Sequence, residues 1–68
     1  MNNIELSQWL DTLRDSPPDY SRLAYRHTCV LRSLLEGKTR SAISREIGLP
    51  FSRINTIVDL IRRKLDSQ

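Results

Sequence analysis

One cysteine (Cys29), one histidine (His27) and two glycines are all that 68 residues provide of those types, and no apolar run approaches the roughly 20 residues needed to cross a bilayer. A lone cysteine excludes a disulfide framework, and a single histidine two positions away excludes a Cys/His zinc site within one chain. The expected compartment is therefore the reducing cytoplasm, with no membrane partner. The start of the chain, with Glu5, Trp9 and Asp11, is unlike a signal peptide. Also missing are paired carboxylates, a glycine-rich loop to cradle phosphate and a nucleophile with its base, so the sequence supports neither an enzyme nor a cofactor or small-molecule ligand. His27 and Cys29 lie two apart, on different faces of a helix, and read as ordinary helix residues.

What is present in quantity is basic charge, unevenly placed. Residues 1–19 set Glu5, Asp11, Asp15 and Asp19 against Arg14, a balance of −3; from Tyr20 onward ten Lys/Arg face Glu36, Glu46, Asp59 and Asp66, a balance of +6. The basic part is the expected polyanion-binding face, although charge alone fits a solvated helical surface as well.

Apolar spacing divides the chain into four helices and no strand. Leu6, Trp9, Leu10 and Leu13 follow i, i+3, i+4, i+7, and Asn3 is placed to cap a helix running to about Arg14. Ser16-Pro17-Pro18-Asp19 breaks it, since proline lacks an N–H and restrains the residue before it. A second helix is expected from near Tyr20, carrying Leu23, Val30, Leu31, Leu34 and Leu35 and ending at Gly37. Thr39 or Ser41 can cap a third, with Ala42, Ile43 and Ile47 inward and Gly48 closing it after about two turns. Pro50 opens a fourth over residues 50–65, striped by Ile54, Ile57, Val58, Ile61 and Leu65. The expected fold is an all-α four-helix domain: an N-terminal acidic helix and elbow (1–19) joined to a helix-turn-helix unit (20–68).

The helix-turn-helix reading rests on register. Ser44 is small where two helices cross, Gly48 suits a left-handed turn, and Ile43, Ile47, Leu49, Ile54 and Ile57 fill the angle between the helices. The plain alternative is an αα-hairpin in a generic bundle. Val30-Leu31-Arg32-Ser33-Leu34-Leu35-Glu36-Gly37, Ser41-Ala42-Ile43-Ser44-Arg45-Glu46-Ile47-Gly48 and the run from Ile54 to Arg62-Arg63-Lys64-Leu65 resemble, without gaps, the LuxR/GerE-type DNA-binding domain. They are also similar to region four of bacterial sigma factors. The resemblance covers residues 23–65 and implies DNA binding. Cys29 stands where that family usually has an acid, Pro50-Phe51 replaces a polar helix start, and the chain stops at Gln68, before the family's dimerising fourth helix. Residues 1–19 lie outside the resemblance, and control by phosphorylation or an autoinducer does not carry over.

With the stripe of the fourth helix inward, Ser52, Arg53, Asn55, Thr56 and Asp59 are expected to read bases; the resemblance places Asn55, Thr56 and Asp59 in the groove. Arginine suits guanine O6/N7, asparagine adenine N6/N7, and threonine the thymine methyl group. Asp59 is the awkward member, to be reconciled by cytosine N4, by a neighbouring arginine or by exclusion from the interface. Lys38, Thr39, Arg40, Ser41, Arg45, Arg62, Arg63 and Lys64 are assigned to phosphates, while Arg62, Arg63 and Lys64 equally suit the negative end of a helix dipole.

The function expected is a sequence-specific double-stranded DNA-binding transcriptional regulator that represses by occupancy. A domain this small buries only about 60% of its unfolded surface. A homodimer joined through Leu6, Trp9, Leu10 and Leu13 on an inverted-repeat operator is therefore expected, the other arrangement being helix 1 folded back on its own core. The rival function is a protein-interaction module acting on RNA polymerase or another regulator through the acidic helix.

Overall fold

Local signals and burial together account for the architecture of the computed structural model, which describes residues 2–66. Among these residues are α1 (Asn3–Asp15), a 3-10 turn (Tyr20–Arg22), α2 (Tyr25–Leu35), α3 (Arg40–Ile47) and α4 (Phe51–Asp66), with no strand. The all-α four-helix architecture is thus the one adopted. No helix among them is long and apolar enough to cross a membrane.

The helix ends follow their caps, with two departures from expectation. The cap of α1 is Asn2, not Asn3: its Oδ1 accepts the Glu5 N–H at 2.8 Å. That leaves the neighbouring Asn3 amide for a tertiary contact. The expected start of α2 at Tyr20 becomes a separate 3-10 turn, because the Asp19 carboxylate accepts from both the N–H and the hydroxyl of Ser21 and Leu23 and Ala24 then run extended. Those hydrogen bonds hold the Asp19 carboxyl below its ordinary pKa of 3.8. Elsewhere Thr39 caps α3 by accepting the Ala42 N–H at 3.1 Å, and the Pro50 carbonyl accepts the first backbone bonds of α4. Gly37 (φ 95°) ends α2 in a Schellman turn, its N–H on Leu34 and that of Lys38 on Ser33. Gly48 (φ 80°) makes the left-handed turn out of α3. Ser44 holds that turn three times: its carbonyl accepts the Gly48 and Leu49 N–H groups, and its hydroxyl donates to the Leu49 carbonyl.

One apolar core joins all four helices. Val30, Leu31 and Leu34 from α2, Ile43 from α3 and Ile54, Ile57, Val58 and Ile61 from α4 interlock, and no polar or charged residue among those described is buried. The stripe on α1 belongs to the same core: Leu6, Trp9 and Leu10 are 8%, 7% and 7% exposed, with Leu13 packed partly buried against them. The four residues expected at a dimer interface are therefore committed within the chain, and helix 1 takes the folded-back arrangement. The elbow makes this possible by reversing the chain, and Arg14 secures it by donating through Nε and Nη2 to the Leu35 carbonyl at 3.4 and 3.2 Å. A cation on the last carbonyl of a helix also complements its dipole.

Candidate nucleic-acid interface

The buried stripe of α4 determines what the helix can offer. With 3.6 residues per turn, Ile54, Ile57, Val58 and Ile61 inward leave Ser52, Thr56, Asp59 and Arg63 on the outer face, all exposed. Asn55 and Arg62 lie on one edge, half-buried, and Arg53, Leu60 and Lys64 on the other, exposed. Of the five residues expected to read bases, Ser52, Thr56 and Asp59 thus point outward, and Arg53 and Asn55 lie on opposite edges. The Thr56 hydroxyl donates to the Ser52 carbonyl at 3.1 Å, so its methyl and acceptor lone pair are what it can present. Asp59 shares a groove with Glu5 of α1 and with Arg62, Arg63 and Asp66. That mixed-charge surface sets it apart from Ser52 and Thr56.

Asn55 is held from outside its own helix. The Arg40 guanidinium, on the first residue of α3, donates through Nη1 to Asn55 Oδ1 at 2.6 Å and through Nη2 to Asn3 Oδ1 at 2.7 Å. Its Cζ lies 5.4 Å from the centroid of the Phe51 ring, within cation–π range. Arg40, expected on a phosphate, is half-buried and engaged in a three-helix clamp.

The remaining residues expected on phosphates divide in the same way. Lys38 pairs with Glu46 at 3.1 Å, Arg62 with Asp66 at 3.5 Å, and the Thr39 hydroxyl oxygen accepts the Ala42 N–H of its cap. Ser41, Arg45, Arg63 and Lys64 are exposed. Lys38, Thr39, Arg40 and Ser41 do come together, lining one groove with Asn3, Ser7 and Phe51.

Beyond the other edge of α4 lies a cationic feature that residue patterns did not single out. Arg26 of α2 and Arg53 of α4 line a groove with His27, Thr56, Ile57 and Leu60, without an acidic residue in its wall or a salt bridge to either arginine among the described residues. Arg26 lies in a helix given no site role in the sequence, and only its membership of the basic set from Tyr20 onward marked it. The Nδ1 atom of His27 is buried without a hydrogen-bond partner. Burial first, and the charge of Lys64 second, hold this imidazole below its ordinary pKa of 6.5.

Comparison with protein-family models, with curated proteins and with solved structures returns no match. The resemblance to the LuxR/GerE domain accordingly stands on residue spacing alone.

Proposed function

We propose that the chain is a sequence-specific double-stranded DNA-binding transcriptional regulator of helix-turn-helix type, acting in the cytoplasm as a repressor by occupancy. The observation that carries this is the first half of α4. Its apolar side is buried against α2 and α3, and the residues it leaves on the other side, Ser52 and Thr56 outward with Arg53 and Asn55 at the edges, are all base-edge or phosphate chemistries with no acid among them. In this reading Arg53 and Asn55 meet base edges and Thr56 offers its methyl group. Ser41, Arg45, Arg63 and Lys64 meet phosphates, joined by Arg26 on the far edge of the groove. Asp59 stands aside, next to Glu5 and Arg62. Two copies on an inverted repeat, with recognition helices about 34–36 Å apart, fit the small footprint of one chain. They would meet through a surface other than the buried α1 stripe.

The test is binding of the purified protein to its own upstream DNA and to random DNA across salt concentrations. Expected are a footprint on the former and a steep loss of affinity with salt on both, since each neutralised phosphate contributes roughly −0.9 to the log–log slope. No footprint and no salt dependence would end the proposal. A second reading, a module that docks on RNA polymerase or another regulator, draws support from Glu5, Asp11 and Asp15, which are all exposed on α1. Co-purification with polymerase in the absence of a footprint would favour it.

A further inference from the structure

Resting on the DNA-binding reading, we infer that Arg40 is a positioning residue that fixes the orientation of the Asn55 amide toward a base, and that α1 takes part in sequence preference through Asn3. A carboxamide left to itself is an ambiguous reader, because rotation by half a turn exchanges its donor and acceptor ends. A guanidinium removes the ambiguity. It carries five N–H donors in a rigid plane and no acceptor, so whatever bonds to it must offer oxygen. At Nη1 that oxygen is Asn55 Oδ1, 2.6 Å away, and at Nη2 it is Asn3 Oδ1, 2.7 Å away. Two bonds from different helices and the Phe51 ring at 5.4 Å hold the fork in one plane. The Asn55 Nδ2 end is then turned away from Arg40 and available as a donor.

A fixed donor has a defined counterpart in the major groove. Purine N7, guanine O6 and thymine O4 accept from it, and the cytosine N4 amino group does not. Arg40 therefore acts on discrimination at one base pair, through Asn55, and not on the sequence-independent attraction to phosphates. Asn3 lies on the exposed side of α1, away from the core, and holds the second arm of the fork.

The experiment is selection from an operator library, with affinity for the preferred site and for random DNA measured against salt for wild type and five variants. Circular dichroism monitors folding. Asn55→Ala and Arg40→Ala are each expected to lose roughly 3- to 10-fold discrimination at the same base pair, with the double variant losing no more than either one. Asn3→Ala, exposed and outside the core, is expected to lose a few-fold at that pair and nothing on random DNA. Asn55→Asp keeps an oxygen for Arg40 and replaces the outward donor with an acceptor, so its preference should move toward an exposed amino group of cytosine or adenine. The salt slope of Arg40→Ala should equal that of wild type. Full discrimination retained by Arg40→Ala or Asn3→Ala overturns the inference, as does a salt slope reduced by about one unit with equal weakening on all DNA, the mark of a phosphate contact. A wild type that selects no sequence overturns the DNA-binding reading itself and the inference with it. A selective wild type whose Arg40→Ala variant is just as selective overturns the inference alone.

Discussion

The two edges of α4 are built on opposite principles. On the edge toward α1 and α3, Asn55 is half-buried and hydrogen-bonded to Arg40, and Arg62 is paired with Asp66. On the edge toward α2, Arg53 and Arg26 line a groove without an ion pair to either among the described residues. Order on the first edge suits geometric selectivity, because a group already fixed loses little freedom when it meets a base. Loose cations on the second suit attraction, which tolerates imprecise geometry and follows the phosphate backbone whatever the sequence. Under the proposed function, Asn55 on the first edge would serve discrimination and Arg26 beside the second would serve attraction.

The strongest way to break this contrast is to detach α1, which supplies Asn3 to the ordered edge only. Trp9→Ala removes the largest side chain of the α1 stripe from a 7% exposed site and should destabilise the protein by about 3–5 kcal/mol. Denaturant unfolding measures it, and sedimentation run alongside would expose a dimer falling apart to folded monomers, the outcome that contradicts a stripe spent within the chain. Next in size is erosion of the loose edge. Replacing Arg26 and Arg53 together with Ala should lower the salt slope by about 0.9 units, the share of the Arg26 phosphate contact, and weaken random DNA. The loss at the preferred site should be greater wherever Arg53 also meets a base. An unchanged slope would remove the groove from the interface.

A smaller effect should fall on both edges at once. Gly48→Ala keeps open space around the new Cβ, so its cost is conformational, about 1–2 kcal/mol from the left-handed φ of 80°. Thermal unfolding would report it, and a variant as stable as wild type would mean that the turn adopts another conformation. The smallest effect belongs to His27. Its folded-state pKa is lowered, so the unfolded chain binds the proton more readily: stability is full above pH 6.5 and declines as pH falls below that value toward the folded pKa. As the sole histidine, it should account for this dependence, and His27→Gln should flatten it. A wild-type stability already flat through this window would contradict the shift.

Much of the scaffold could be read from residue order because its determinants are local. Gly37, Gly48 and Thr39 act within a turn, and the stripes of α2 and α4 repeat at helical spacing whatever they pack against. The α1 stripe was equally visible, but an amphipathic face looks the same whether it meets its own chain or another, so its destination was not. The break at Leu23 and Ala24 carries neither proline nor glycine and depends on the Asp19 turn. Asn2 and Asn3 are the same residue type side by side, and residue type alone does not distinguish the cap from the partner of Arg40. The outward set Ser52, Arg53, Thr56 and Asp59 followed from the period of α4. The engagement of Asn55 and Arg40, fifteen positions apart, did not, because it exists only once three helices have met.

The interior has a consequence for descent. Among the described residues no polar or charged residue is buried, so interior residues such as Leu31, Ile43 and Ile61 are free to drift among shapes of similar volume while the outer face of α4 varies independently. Arg40 is where that independence ends. In diverged copies of this gene, positions 40 and 55 should change together and position 3 should follow them, whereas positions 52 and 56 wander alone.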